Sequence, residues 1–414
     1  MSTLRPDFVV VGGGIGGSVF AELLARAGRR VLVLERSLAP PAWTRPEIFW
    51  PATADFLAGL LPPGDWERDS ARPIEAFDIH DGRSCKTLVP AETLRLAGVQ
   101  PWSADPNRLR ERLLERRSFE LRRGIEVLGL LRDGGRKGVR ESGRDVGRDG
   151  ARVTGVRARD LASGAELPIE ADLVVADDGA RSIVREACGI AIDLLTFPVD
   201  FLCFGSAWPA ALPRAHVRLW ANRGGTRSGI LGLGAVPIPG DRATALLLAR
   251  PQALEDPRAQ ADWERFLDFD PLLRELVGAR RFPDGFERVR RAWGHAESYG
   301  APGVVLLGDA AHPVTPAGGQ GASAAVADAR TLAEIVLAGS QDPAGDLERR
   351  RRKPNDRSLA ISRLAHRAWT LPAFCRPTPV FFAALAFLRA RPALLARAVR
   401  DVSTRFLEVP ATTP

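Results

Sequence analysis

Residues 8–17 read FVVVGGGIGG, and they constrain the fold more than any other stretch. The unbroken apolar run Phe8–Val11 predicts a parallel strand buried on both faces. Gly12, Gly14 and Gly17 follow in GxGxxG spacing, and then SVFAELLARAG places Phe20, Leu23, Leu24 and Ala27 at helical intervals before Gly28. A second apolar run, VLVLE, ends on Glu35. Strand, glycine loop, helix, strand and acid make one complete dinucleotide-binding unit. Gly12 permits the tight turn, Gly14 lets backbone approach a pyrophosphate, and Gly17 lets the helix pack close to the strand. The helix N-terminus offers free N–H groups and a positive dipole end to the phosphates. Glu35 suits ribose hydroxyls and would repel a 2′-phosphate, so the expected ligand is FAD or NAD rather than NADP.

Two later segments decide between these. ADLVVADDGARSIVR (171–185) is an apolar strand running into Asp177-Asp178-Gly179, which alone is ordinary turn chemistry. GVVLLGDAAHPVTPAGGQGASAAVADA (303–329) places Gly308-Asp309 at the end of another buried strand, followed by a glycine-rich loop and a helix. Asp309 can accept a hydrogen bond from a sugar-alcohol hydroxyl. The amides of Ala322 and Ser323 would open that helix, where they stabilise negative charge such as that of a reduced isoalloxazine. NAD has neither a ribityl chain nor a ring anion to use this second site, so the expected cofactor is FAD.

In order and spacing, GGGIGG with Glu35-Arg36, ADDGARSIVR, and GDAAHPVTPAGGQGAS with Asp328-Ala329 resemble the single-component FAD-dependent aromatic monooxygenases, of the p-hydroxybenzoate hydroxylase and ubiquinone-pathway hydroxylase kind. The resemblance covers about residues 5–340. It implies an α/β fold: a Rossmann-like FAD-binding domain of the p-hydroxybenzoate hydroxylase type, an interleaved β-sheet substrate domain and a C-terminal helical tail. The corresponding sections are 1–189 and 291–340 for the FAD-binding domain, 190–290 for the substrate sheet and 341–414 for the tail. It also implies Arg45, Asp178, Asp309, Pro316, Gly318, Gly321, Ala322 and Ser323 as cofactor residues, with Pro316 against the ring. The sequence departs from the family at ADDG, where GADG is usual, and at Ser323, where asparagine is usual. Arg108 is an imperfect substitute for an arginine that normally precedes the helix after Trp102. The implied reaction is hydroxylation or epoxidation of an aromatic or lipophilic small molecule in secondary or quinone-type metabolism. It would use O₂ and a transiently bound NADH or NADPH, through a flavin C4a-hydroperoxide. The alternative is an FAD-dependent reductase or dehydrogenase of the same fold acting on an isoprenoid or related substrate.

The alternating segments VDFLCFGSAW, HVRLWAN, GILGLGAVPIP and ATALLLA predict the substrate sheet. His216, Arg218 and Trp220 share one face by strand alternation, and that face meets either substrate or solvent. Phe201, Phe204, Trp43, Phe49 and Trp50 are aromatic lining candidates that equally suit a core. His312 lies in the cofactor loop and suits a structural turn, and no Ser-His-Asp or Cys-His arrangement is apparent.

Composition excludes several other classes. The chain has 414 residues, 45% hydrophobic, with net charge +8. The charge is carried almost wholly by arginine, and lysine occurs only at 86, 137 and 353. Cys85, Cys188, Cys203 and Cys375 show no CxxC spacing, so no zinc site is expected. No apolar run reaches membrane-span length and no leader pattern is evident, so a cytoplasmic protein is expected. Residues 132–152 mix arginines with acids and carry no stacking aromatics, so they read as a solvated loop rather than a nucleic-acid arm. RRRRK (349–353) reads as a solvated helix face. The apolar, arginine-flanked stretch PVFFAALAFLRARPALLARAVR is compatible with packing on the flavin domain, a dimer contact or a peripheral membrane contact.

Overall fold

A computed structural model describes residues 5–40, 45–115, 118–133, 151–196, 199–222, 229–289, 292–314, 319–370 and 387–405. The first apolar run forms the strand Phe8–Val11, which lies in a six-stranded sheet. Across that sheet the order is Gly300–Ala301, Val304–Leu306, Leu173–Ala176, Phe8–Val11, Val31–Glu35 and Glu120–Arg123. All neighbours pair in parallel except the Gly300–Ala301 edge. Parallel register aligns Val11 with Leu34 and Ala176, and Ala176 with Leu306. The residues that follow, Gly12, Glu35, Asp177 and Leu307, therefore emerge together at one edge, where open α/β sheets bind ligands.

Two helices cover this sheet. Ile15–Arg26 starts from Gly14, and Gly321–Leu337 packs against it. Valines 9 and 10, Phe20, Leu24 and Leu332 between these layers are fully buried. The dry interface explains why the strands read as continuous apolar runs.

The second large sheet has seven strands, in the order Glu287–Val289, Asp200–Ala207, Arg242–Ala249, Ile230–Ile238, His216–Ala221, Ala76–His80 and Cys85–Val89. The four segments expected from alternation are all present, and two strands from residues 76–89 extend the sheet through a parallel pairing of His216–Trp220 with Ala76–His80. One face packs on the helices Ala259–Leu267 and Pro271–Val277 through Leu202, Phe204, Trp220, Leu233 and Trp263. The other face covers the ligand-binding edge of the first sheet.

The tail is helical at Pro343–Thr370 and Pro392–Arg405. The latter packs on Ala91–Ala97, with Ala396 against Ala97 and Val99, and Arg400 Nε donates 2.9 Å to the carbonyl of Ala97. Among the described residues no helix is long and apolar enough to cross a membrane, and no cluster of His, Cys, Asp and Glu could hold a metal. Trp43 and nearly all of the arginine-rich 132–152 segment lie outside the described residues.

Candidate cofactor and substrate site

The glycine loop is built for close approach. A Cβ on Gly17 would stand 2.8 Å from both the Gly12 carbonyl oxygen and Val10 Cγ1, so only glycine lets the helix press onto the strand. Gly12 has φ +94°, a conformation that favours glycine. Glu35 closes the loop: Gly13 N–H donates to its Oε2 (2.9 Å) and Ser37 N–H to its Oε1 (2.7 Å). Each oxygen retains a lone pair for a ribose hydroxyl.

Beside Glu35 stands Arg110, on the helix Pro106–Leu114. Its Nη2 is 3.7 Å from Glu35 Oε2 and its Nε 3.6 Å from Glu111 Oε1, beyond hydrogen-bond reach. Both nitrogens are buried without a hydrogen-bond partner. A buried guanidinium in that state is costly until acceptor oxygens arrive.

A cavity of about 470 Å³ opens from this cradle toward the seven-stranded sheet. Gly14, Gly16, Asp177, Asp309, Gly321 and Ala322 line its first-sheet side. The opposite wall is Phe77, Phe201, Cys203, Val217, Leu219, Val236 and Leu246. Arg45 and Glu47 stand between the two walls, joined at 2.9 Å. The helix Gly321–Leu337 has no side-chain cap. Its first N–H groups lack intrahelical partners, and Gly321 and Ala322 face the cavity.

The Gly308–His312 segment that carries Asp309 is anchored from below. Asp328, fully buried, meets His312 Nε2 through Oδ2 and accepts from Arg351 Nε (2.8 Å) and Asn355 Nδ2 (3.1 Å) through Oδ1. Burial alone would raise the Asp328 pKa, but His312 and Arg351 outweigh it and hold the carboxyl well below the usual carboxylate range. Arg185 Nη1 adds a 2.8 Å bond to the Ala310 carbonyl.

Comparison with known proteins agrees with this geometry. Residues 109–347 match the model of an FAD binding domain, and residues 10–45 match an NAD(P)-binding Rossmann-like domain. The chain belongs to the FAD-binding monooxygenases. It is 28% identical over 344 residues to 6-methylpretetramide 4-monooxygenase of Streptomyces rimosus, covering 80% of this chain and 75% of that one. It is 30% identical over 354 residues to kynurenine 3-monooxygenase of Salinispora arenicola, covering 82% and 74%. Its fold is similar to that of p-nitrophenol 4-monooxygenase PnpA from Pseudomonas putida, with TM-score 0.73, 20% identity and coverage of 98% and 99%.

The monooxygenase brings Gly14, Arg45, Asp309, Gly321 and Ala322 to the cavity, with Gly12 and Gly17 in the turn beneath. Asp178 Oδ2 accepts from Val184 N–H (3.2 Å), while its Oδ1 is buried without a hydrogen-bond partner. Ser323 is buried behind the rim, and its Oγ also has no partner. Pro316 and Gly318 lie outside the described residues. Arg36 departs from expectation: its side chain is 71% exposed and lies 4.0 Å from Glu126, away from the cavity. Arg108 does too, since it is exposed and contributes only its N–H to the Asp105 cap (3.2 Å). Two residues farther along the helix, about 200° around its axis, Arg110 reaches Glu35 instead. We expect Arg110→Ala to raise the FAD Kd about ten- to hundredfold, the loss of one charge-assisted hydrogen bond. Arg108→Ala should leave it within about twofold. Fluorescence titration of apoprotein measures both, and an unchanged Kd for Arg110→Ala would remove it from the site.

His216, Arg218, Trp220 and Phe204 lie on the other side of the sheet. Val217 and Leu219 line the cavity, so alternation turns His216, Arg218 and Trp220 away. His216 Nδ1 is 2.9 Å from Asp78 Oδ2, and Arg218 Nη2 is 3.8 Å from the same oxygen. Trp220 Nε1 donates 2.8 Å to Asp270 Oδ2. Phe204 packs edge-on against Phe286 at 5.3 Å. Phe201 and Trp50 do line the cavity, whereas Phe49 is core. Cys203, Glu47 and Arg110 had no sequence signal as site residues, and Asp177 had one only as part of the ADDG turn. The RRRRK run is not uniformly solvated either, because Arg351 is buried against Asp328.

Proposed function

We propose that this FAD-dependent monooxygenase inserts one atom of O₂ into a neutral aromatic or lipophilic small molecule, with NADH or NADPH as a transient reductant. The observation that carries this reading is the cavity itself. Its cofactor side has an acid and open helix amides, and its far wall is almost entirely apolar. A substrate seated there meets Phe77, Phe201, Leu219 and Leu246, with Arg45–Glu47 as the charged pair at the rim.

The residues fit FAD. Arg110 has buried donors without acceptors, and the glycine loop leaves no room for side chains. Gly12, Gly14, Gly17 and the following helix N-terminus would take the pyrophosphate, Glu35 and Arg110 the adenosine end. Asp309 and Arg45 would take the ribityl region, and Gly321, Ala322 and Ser323 the ring edge. When bound, FAD supplies the electron transfer and oxygen activation. The chain's own work is different. The amides opening Gly321–Leu337 stabilise negative charge at the ring edge, and Asp309 orients a hydroxyl. The apolar wall excludes water from the reacting centre.

This reading assigns 1–189 and 291–340 to the FAD-binding domain, 190–290 to the substrate sheet and 341–414 to a helical tail, with the correction that the strands Ala76–His80 and Cys85–Val89 belong to the substrate sheet. It places the enzyme in the cytoplasm, with its coenzyme reductant. The aromatic substrates named for 6-methylpretetramide and p-nitrophenol monooxygenases support the substrate class.

The test uses ¹⁸O₂. Purified holoenzyme is given NADH or NADPH and a panel of neutral phenols, quinone precursors and polycyclic aromatics. The expected result is one labelled oxygen per product and substrate-accelerated flavin reduction. Substrate turnover without oxygen uptake would overturn the reading in favour of a reductase. Leu219→Trp, which fills the apolar half, should raise KM by at least about tenfold while FAD remains bound.

A further inference from the structure

Asp177 follows the strand Leu173–Ala176 and lies directly under the glycine loop. Its Oδ2 accepts from Gly17 N–H at 2.7 Å. Its Oδ1 lies 3.2 Å from the place a Cβ on Gly16 would take, and 3.4 Å from that on Gly308. The carboxyl thus sits between the two glycine segments of the cradle and faces the cavity. Among the described residues it forms no ion pair. The charged groups that act on it most strongly, Asp309, Asp178 and Asp328, are all acids.

The cations nearby are committed elsewhere. Arg351 and His312 face Asp328, Arg185 holds the carbonyls of Ala180 and Ala310, and Arg110 stands by Glu35. Arg45 pairs with Glu47. Burial, and after it the neighbouring acids, push the Asp177 carboxyl up to about 8 against the pull of the Gly17 amide. The bound cofactor would displace cavity water from this carboxyl and bring two phosphate charges to the same helix N-terminus. An ionised Asp177 opposes both changes, whereas a neutral one does not and has an O–H to donate.

We propose that FAD binding to this protein is coupled to the uptake of one proton by Asp177. The sign follows from linkage. The complex holds the proton more tightly than the free protein, so affinity is greatest below the free protein's pKa and falls as pH rises through it.

The experiment titrates the apoprotein with FAD from about pH 6 to about pH 9, below ionisation of the flavin N3–H. Calorimetry runs in two buffers of different ionisation enthalpy. The Kd should be flat at the acid end and rise toward about tenfold per pH unit at the alkaline end, with proton uptake visible in the buffer dependence. Asp177→Asn, which can still accept from Gly17, should flatten the pH profile and abolish the uptake. A pH-independent Kd in the native protein would overturn the proposal. So would heats at the alkaline end that do not depend on the buffer, or an Asp177→Asn profile with the original slope. The native measurements decide the matter even if the variant does not fold.

Discussion

Replacing Gly14 by glutamate should give a folded protein that purifies without colour. Gly14 has φ −67° and ψ 175°, extended backbone open to any residue, so conformational strain is not the reason. The reason is space and charge. A Cβ at Gly14 would collide with the Asp177 carboxyl. A carboxylate beyond it would occupy the helix N-terminus where the phosphates belong, and would compete for the same amides. Loss of the pyrophosphate contacts and repulsion of its two charges together should weaken FAD by at least about a thousandfold, or about 4 kcal/mol. The visible spectrum and a fluorescence titration check this, and circular dichroism confirms that the Rossmann core persists. A normal flavin spectrum would refute the role given to the loop.

The cofactor half of the site was legible in the sequence because its physics is local. Gly12, Gly14 and Gly17 act through backbone geometry at fixed spacing. Parallel register then carries Glu35, Asp177–Asp178 and Asp309 to one edge without any side-chain choice. The substrate half was not legible in the same way. Alternation gave the two faces of His216–Ala221 but not which one met the cavity. Both meet protein, Trp220 within the apolar cluster of the helical layer that includes Trp263 and half-buried Leu219 at the cavity wall. Polarity misleads in such a strand, since Arg218 is held in the interior beside Asp78. Arg110 and Arg351 each sit among several arginines, and only a distant partner, Glu35 or Asp328, distinguishes them. The pairing of Ala76–His80 with His216–Ala221 joins segments more than a hundred residues apart, and no local pattern announces it.

The same network supplies the largest expected change in stability. Asp328→Ala removes the carboxylate on which His312, Arg351 and Asn355 converge, all three of them nearly or wholly buried. Arg351 would be left with its charge in the interior, held by Asn355 Oδ1 at 3.1 Å. An uncompensated buried charge of this kind costs about 3–5 kcal/mol. Urea denaturation of apoprotein at neutral pH should show a loss of that order, and a loss below about 1 kcal/mol would show that the cluster carries little. Adding Arg351→Met should recover part of the loss, because it removes the stranded charge. The pH dependence has a definite sign. Asp328 is held below its ordinary pKa in the folded protein, so its contribution is complete above the unfolded carboxylate pKa and disappears as pH falls through that range toward the lowered value. The native protein should therefore lose stability on acidification more steeply than the Asp328→Ala variant. FAD retention should fall with the fold, because the anchored Gly308–His312 segment is what points Asp309 into the cavity.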